Sequence, residues 1–260
     1  MSGYQDFSAF YDRLMADVDY AAYADYLLSL FALHSGKTPE IVLDLACGSG
    51  SLSLELAARG VDVIGVDGSQ DMLVQAREKA ENAGHSLLFL EQDMRELDLY
   101  GTVNGAVCVL DSISHLCCTA DVRCVFQRLS LFVEPGGLLI FDVNTPYKHR
   151  NVLGDNAFVF EQDDFFCVWR NRLLSRTCEV DMQLDFFVRT KEHYTRYTDF
   201  VRERAYTQAT LSRLLREGDF EPVAVYAAMT TDTPPDDCER WVFVARNVTK
   251  NYETTGGTHE

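Results

Sequence analysis

The spacing of apolar residues predicts two helices at the start of the chain. From Phe7 to Leu14 the apolar positions lie three and four residues apart, as on one face of a helix, and residues 20–31 repeat the pattern. Asp19 precedes the second repeat and is the predicted N-cap. A breaker, Ser35–Pro39, follows. Residues 1–40 are therefore predicted to form a helical N-terminal cap.

From residue 41 onward, short apolar runs alternate with amphipathic segments. Strands are predicted at residues 41–46, 61–66, 87–90, 103–110, 138–143, 220–227 and 240–246, and helices at 52–60, 69–84, 120–132 and 207–217. Such alternation is typical of parallel strands joined by crossover helices. We therefore expect an α/β fold with a doubly wound, mostly parallel seven-stranded Rossmann-like sheet, formed by residues 41–146 and 207–247. Ligands of such open sheets bind at the carboxyl ends of the strands.

Residues 147–206 have a two-residue period instead. Apolar and polar residues alternate from Cys178 to Phe186 and again from Thr195 to Arg204. This pattern predicts antiparallel strands with one exposed face, so the segment is interpreted as an antiparallel β insertion. It is expected either to cover an acceptor or to mediate a homodimer. Residues 248–260 are polar and are predicted to be a disordered tail.

Composition and charge narrow the possible functions. The chain has 260 residues, of which 47% are hydrophobic and 24% charged, as in an ordinary globular protein. Its formal net charge of −17 opposes attraction to nucleic acid or to an anionic membrane. No apolar run reaches the roughly 18 residues of a membrane span, and the first residues lack the apolar region of a secretory signal. We therefore expect a cytoplasmic protein without a membrane partner.

The cysteines give no metal signature. There are eight of them, and none forms a C-x-x-C pair or is followed by a histidine at zinc-finger spacing. Several lie within apolar runs, as Cys108 does. Reduced, buried thiols and no metal site are therefore predicted.

A glycine-rich turn, Asp44-Leu-Ala-Cys-Gly-Ser-Gly50, lies between the first predicted strand of the sheet and the helix after it. Glycines there let the backbone approach a ligand closely, and a helix N-terminus favours negative groups. The dinucleotide pattern G-x-G-x-x-G, aligned on Gly48 and Gly50, has its third glycine at Ser53. This mismatch disfavours NAD. S-adenosylmethionine has no pyrophosphate, so it does not require that glycine.

This turn resembles the first motif of the class I S-adenosylmethionine-dependent methyltransferases, in which an acidic residue precedes alternating glycines. The resemblance covers about residues 41–145 and the closing strands. Ala46 stands where the first glycine is commonest in the family, and a small residue is expected to fit there. The resemblance implies that the turn faces the methionine moiety through the following residues: Asp44, Ala46, Cys47, Gly48 and Gly50.

The end of the second strand resembles the nucleoside-binding part of the same family. Asp67 lies seventeen residues after Gly50, and an acid there can accept hydrogen bonds from both ribose hydroxyls. Gly68 and Ser69 follow it as further expected cofactor contacts, and Ser69 is also the predicted N-cap of the next helix.

Five further residues are expected around the adenine and the transferred methyl group. The resemblance implies that Asp93 binds the adenine amino group. Met72 and Met94 would sandwich the ring, the alternative being that both methionines belong to the core. Leu110 and Asp111, at the end of the fourth strand, resemble the motif beneath the methyl group.

Candidate chemical groups lie after the fourth strand and in the insertion. Asp111 is a base, a substrate anchor or a helix N-cap, and these alternatives stay open. His115 is either catalytic or structural, and His193, in the insertion, is the second candidate catalytic residue. Tyr11 belongs to helices that resemble the cofactor cap of a bacterial small-molecule subgroup. It is expected either to bind the methionine carboxylate or to be a core residue.

Together these features predict the transfer of a methyl group from S-adenosylmethionine to a small or medium organic acceptor by in-line displacement. Aromatic residues in the insertion are the sequence feature that favours such an acceptor. The alternatives are an RNA or protein methyltransferase, an NAD-dependent oxidoreductase and a noncatalytic nucleoside-binding module.

Overall fold

The computed structural model describes residues 5–249, with side chains from residue 10 onward except that of Thr190. Its helices are α1 Gln5–Leu14, α2 Tyr20–Ser35, α3 Ser51–Ala58, α4 Gln70–Asn82, α5 Thr119–Phe132 and α6 Gln208–Glu217. Its strands are β1 Ile41–Leu45, β2 Asp62–Asp67, β3 Leu88–Glu91, β4 Val103–Cys108, β5 Val133–Asn144, β6 Ala157–Gln162, β7 Phe165–Leu174, β8 Glu179–Thr190, β9 His193–Arg204, β10 Phe220–Ala227 and β11 Arg240–Asn247.

Seven strands form the main sheet, in the order β10-β11-β5-β4-β1-β2-β3. Strands β1 to β5 run parallel, and β11 is antiparallel to both β5 and β10. The predicted doubly wound, mostly parallel sheet is confirmed. Its strand order reverses between β1 and β4, which opens a crevice for ligands at the carboxyl ends of these two strands.

Alternate residues of each central strand point to opposite faces of the sheet, so two apolar cores form. Val42 packs with α2 and α3, whereas Leu43 packs with α5 and α6. The predicted caps are also confirmed. Asp19 accepts a hydrogen bond from the N–H of Ala22, and Ser69 and Thr207 cap α4 and α6 in the same way.

Two strand ends differ from the prediction by more than one residue. β5 begins at Val133 rather than at residue 138, and residues 134–137 lie within this strand as an irregularity in its pairing with β4. Gly136 has φ +84°, which lets the chain bulge and then resume pairing with β4. β4 ends at Cys108 rather than at residue 110, because Leu110 has φ +56°, a left-handed conformation that cannot continue a strand.

The insertion is a separate antiparallel sheet in the order β6-β7-β8-β9, as predicted. Its inner face carries Val180, Met182, Leu184 and Phe186, and Phe10 of α1 packs against it. A π-helical segment, Lys148–Leu153, leads into this sheet and was not predicted. Within residues 5–249 no helix is both long and apolar enough to span a membrane. The predicted tail lies outside the described residues, except for residues 248 and 249.

Candidate active site

The glycine turn between β1 and α3 is built from left-handed backbone. Ala46, Gly48 and Gly50 have φ values of +59°, +54° and +75°. A Cβ atom on Gly50 would lie 2.8 Å from the Cβ of Ala76 in α4, so glycine is required there for close packing as well as for its φ. Ala46 adopts a conformation that favours glycine, which explains why glycine is common at this position in the family.

Asp67 fixes the geometry of this turn. One carboxylate oxygen accepts a hydrogen bond from the N–H of Gly48 at 2.8 Å, and the other accepts one from the N–H of Ser69 at 2.8 Å. Burial raises the pKa of Asp67, although the hydrogen bonds from Ser69, Gly48 and Gly68 oppose that rise. A carboxylate has about four lone-pair positions, so Asp67 keeps acceptor capacity for a ligand.

Asp44 lies beneath the turn, where it is almost fully buried. Its carboxylate accepts a hydrogen bond of 2.5 Å from the hydroxyl of Ser53, the residue at the third-glycine position of the dinucleotide pattern. Burial raises the pKa of Asp44 to about 6, and the hydrogen bond from Ser53 acts in the opposite direction. Ser53 thus supports an acid at a position where a dinucleotide-binding fold requires glycine for packing.

A cavity lies between α1 and the glycine turn. It is lined by Tyr11, Tyr20, Asp44, Ala46, Cys47, Ser49, Ser51, Leu52, Val109, Leu110 and Ser112. Burial raises the pKa of the Tyr20 phenol to about 12, so this phenol is neutral at neutral pH. Several of the predicted cofactor residues are therefore brought together around one cavity, Tyr11 among them.

Helix α1 is attached to the glycine turn by a set of polar contacts around Lys79, which form a latch. The ammonium of Lys79 contacts the carboxylate of Asp12 at 2.6 Å and the hydroxyls of Ser49 and Ser51 at 2.8 and 2.9 Å. The hydroxyl of Ser49 also donates a hydrogen bond to Asp12. These contacts hold Tyr11 over the glycine turn.

The residues predicted to contact the adenine ring are not among those that line the cavity at the glycine turn. Asp93 is a half-exposed carboxylate bound by the guanidinium of Arg95, which lowers the pKa of Asp93. Met72 is 4% exposed and Met94 packs against the main core. Met72 is thus a core residue, and Met94 is partly buried at the edge of the main core.

The turn after β4 depends on Asp142, a fully buried residue of β5 that the sequence analysis did not single out. Its carboxylate accepts hydrogen bonds from the N–H groups of Leu110 at 3.0 Å and Asp111 at 2.7 Å. Both of these residues have positive φ. This conformation costs about 1–2 kcal/mol per residue, and hydrogen bonds to a charged group offset that cost.

Arg240 of β11 joins the two acids of this turn. Its guanidinium lies 2.6 Å from Asp142 and 2.9 Å from Asp111. Burial acts to raise the pKa of Asp111, but Arg240, followed by Lys148 and His115, holds that pKa below its ordinary value. Burial raises the pKa of Asp142 despite Arg240. Asp111 occupies the N-cap position of the 3₁₀ turn Ser112–His115, but its side chain makes no capping hydrogen bond.

The two candidate catalytic histidines lie in very different places. His115 ends the short 3₁₀ turn Ser112–His115, and its Nε2 is 4.0 Å from the carboxylate of Glu203 in β9. His193 is exposed at the far end of β9, roughly 30 Å from Glu203 along an extended strand. The structure therefore brings His115 to the sheet edge and leaves His193 remote from it.

These features define a class of protein: an α/β domain with a doubly wound sheet and a cavity beside a glycine turn at the carboxyl edge of that sheet. Residues 42–137 match the model of a family described as a methyltransferase domain. The methyltransferase-type protein YqeM of Bacillus subtilis (strain 168) is 31% identical over 94% of this chain and 96% of its own length.

Two further comparisons also match methyltransferases. A crystal structure of an S-adenosylmethionine-dependent methyltransferase from Clostridium acetobutylicum ATCC 824 has a TM-score of 0.84 and 30% identity, covering 94% of this chain and 98% of that one. A glycine/sarcosine N-methyltransferase of Parasynechococcus marenigrum (strain WH8102) is 32% identical over 56% of this chain and 50% of its own length. This chain belongs to the class I S-adenosylmethionine-dependent methyltransferases, and S-adenosylmethionine is its cofactor.

The residues present are compatible with that cofactor. The left-handed turn exposes backbone beside a cavity, and the acids around it, Asp44 and Asp67, suit a ligand that carries an ammonium and a sulfonium. Ser53 replaces the glycine that a pyrophosphate-binding turn uses, so the NAD alternative lacks a matching motif.

Proposed function

We propose that this protein transfers the methyl group of S-adenosylmethionine to a small organic acceptor. The observation that carries the proposal is the pairing of Asp67 with Gly48 and Ser69, which shapes a glycine turn beside the cavity. When bound, the cofactor supplies a methyl group on a sulfonium, and this carbon accepts the lone pair of the acceptor as the carbon–sulfur bond breaks.

Each group of residues in and around the glycine turn has a proposed role. Asp67, Gly68 and Ser69 bind the ribose, and the turn from Asp44 to Gly50 binds the methionine moiety, helped by the phenol of Tyr11. Leu110 and Asp111 lie beneath the methyl group. Asp93 remains the proposed contact for the adenine amino group, which requires the carboxylate to accept a ligand hydrogen bond while it is paired with Arg95.

The antiparallel insertion is the proposed cover of the acceptor. Glu203 of β9 and Asn144 of β5 are joined by a hydrogen bond of 3.0 Å, so the insertion reaches the carboxyl edge of the main sheet. A cover of this kind excludes water and orients the acceptor, which together lower the barrier for an in-line displacement. A relative named as a glycine/sarcosine N-methyltransferase supports a small acceptor.

Transfer of a tritiated methyl group tests this proposal. Purified protein is incubated with methyl-tritiated cofactor and either a cell-extract filtrate below about 1 kDa, the protein fraction or the RNA fraction. We expect label in the small-molecule filtrate. Label confined to protein or RNA would replace the small acceptor with a macromolecule, and no label in any fraction, with cofactor affinity retained, would favour a noncatalytic module.

A further inference from the structure

We propose that the acceptor side of the site binds an amine in its ammonium form, and that Glu203 and His115 recognise it. This inference rests on the proposed function, because it names the chemical class of the molecule that receives the methyl group. It derives from Glu203, a buried carboxylate that accepts a hydrogen bond from Asn144 and has no Lys or Arg within 4 Å among the described side chains.

A single amide holds two carboxylates together at this edge of the sheet. The side-chain amide nitrogen of Asn144 lies 2.6 Å from Asp111 and 3.0 Å from Glu203. Glu203 is 5% exposed. Asp111 immediately precedes Ser112, which lines the cavity at the glycine turn. Asp111 therefore adjoins a residue that lines the cavity, and the amide of Asn144 connects Asp111 to Glu203.

The cations around these acids are already engaged. Arg240 contacts Asp111 and Asp142, and the ammonium of Lys148 lies 3.0 Å from the amide oxygen of Asn144. Among the described side chains no Lys or Arg lies within 4 Å of the Glu203 carboxylate. The three carboxylates outnumber the two cations here. Because a buried carboxylate without a cation is unfavourable, the arrangement favours a ligand that brings one positive charge.

Two imidazoles face the same carboxylate from different elements. The Nε2 atom of His149 is 3.7 Å from Glu203, and that of His115 is 4.0 Å from it. His149 is fully buried, and its Nδ1 lies 3.0 Å from the carbonyl oxygen of Cys178, so Nδ1 carries the hydrogen. Within the described part of the chain, Nε2 of His149 then has no hydrogen-bond partner.

Nε2 of the buried His149 and the carboxylate of Glu203 thus face each other at 3.7 Å with no hydrogen bond between them. An ammonium group brings up to three donors together with one charge. A hydroxyl would bring one donor and no charge, and a carboxylate would be repelled by Glu203 and Asp111. The cluster therefore selects an amine over the other two acceptor classes.

The same geometry gives His115 a role. An ammonium has to lose a proton before its nitrogen has a lone pair to share. His115 is about one-third exposed, and its Nε2 lies 4.0 Å from the carboxylate of Glu203. Nε2 of His115 takes that proton, and the carboxylate of Glu203 stabilises the imidazolium that results.

A binding experiment tests the inference without an identified acceptor. Sinefungin is an analogue of S-adenosylmethionine with an amine-bearing carbon in place of the methyl-bearing sulfonium, whereas S-adenosylhomocysteine has a neutral sulfur there. Calorimetric titration with both compounds measures what an ammonium contributes on the acceptor side. We expect the wild-type protein to bind sinefungin more tightly than S-adenosylhomocysteine.

The variant Glu203→Gln should lose about tenfold in sinefungin affinity and less than twofold in S-adenosylhomocysteine affinity. Glu161→Gln, which makes the same charge change at an exposed residue of β6, should change neither. Thermal unfolding verifies that each variant folds. If Glu203→Gln does not fold, His115→Gln replaces it, with an expected loss of about threefold for sinefungin alone.

Equal affinity of the wild type for the two compounds, or equal losses of both in a folded variant, would overturn the amine assignment. Failure of S-adenosylhomocysteine to bind the wild-type protein would instead contradict the proposed function itself. The two failures are therefore distinguishable within one set of titrations.

Discussion

The cofactor half and the acceptor half of the site lie side by side at one edge of the main sheet but are assembled in different ways. The cofactor half uses two consecutive strand–turn–helix units, and Asp67 reaches back only nineteen positions to Gly48. The acceptor half joins side chains from β5, β9 and β11 to the turn after β4, and Arg240 is 129 positions from Asp111.

Because of this difference, we expect substitutions in one half to lower cofactor affinity and substitutions in the other half to lower stability. In the proposed cofactor half we expect the backbone conformation to form the binding surface, so the carboxylate of Asp67, which fixes the turn, should control affinity. In the acceptor half the folded state depends on the balance between Asp111, Asp142 and Arg240, so removal of one charge affects stability first.

The largest effect is expected from the acceptor half. Arg240→Met leaves Asp111 and Asp142 buried without their shared cation, and should lower the free energy of unfolding by about 3–5 kcal/mol. Urea denaturation measures this change. Arg216→Met, which removes an exposed partner of Glu221, should cost less than about 1 kcal/mol. Similar losses in both variants would contradict the contrast between the halves.

The cofactor half should show the opposite pattern. Asp67→Ala removes the acceptor for the N–H groups of Gly48 and Ser69, so affinity for S-adenosylhomocysteine should fall about 100-fold while the fold is kept. Calorimetry gives the affinity and circular dichroism the fold. Asp62→Ala, an exposed residue at the other end of β2, is the matched control and should bind normally. Unchanged affinity in Asp67→Ala would refute the role assigned to this residue.

The pH dependence of cofactor binding sharpens the assignment of Asp44. Because burial raises its pKa to about 6, Asp44 ionises between about pH 5 and 7, and only the carboxylate attracts the cofactor ammonium. Affinity should therefore rise about tenfold from pH 5 to pH 7. The free protein changes in the other direction: the protonated acid favours folding, and this contribution is lost as pH rises through 6.

Calorimetric titration of the wild type and of Asp44→Asn with S-adenosylhomocysteine at several pH values measures this dependence of affinity on pH. The variant should show a flat profile over the same range. A tenfold rise that persists in Asp44→Asn would assign the titration to another group.

A smaller effect is expected at the latch on α1. Lys79→Met removes the ammonium that joins Asp12 to Ser49 and Ser51, so α1 should detach more often and cofactor affinity should fall about threefold. Hydrogen exchange of residues 10–14 should accelerate. Lys37→Met, in the exposed loop after α2, serves as the control. Equal exchange rates in both variants would mean that Lys79 does not hold the helix.

The same contrast explains what could be predicted from the sequence. The glycine turn, the caps at Asp19 and Ser69 and the strand alternation are local patterns, and each is present in the structure. The sequence does not predict the bulge at Gly136, because a turn sequence does not reveal that strand pairing continues on both sides of it.

The acceptor half could not be predicted in this way. Asp142 lies within an apolar run, and an acid in a buried strand is a signal that it needs a partner, but it does not identify Arg240. Glu203 had the alternation of an ordinary half-buried strand. The composition of the insertion favours His193 as a candidate, but composition carries no information about how far a residue lies from the sheet edge.

The central claim is that the glycine turn and Asp67 bind S-adenosylmethionine, and calorimetric titration with S-adenosylhomocysteine tests it most directly. We expect micromolar affinity, about −8 kcal/mol, no response to NAD, loss of binding in Asp67→Ala and normal binding in Asp62→Ala. Binding of NAD in place of S-adenosylhomocysteine, or equal affinity of the two variants, would contradict the account.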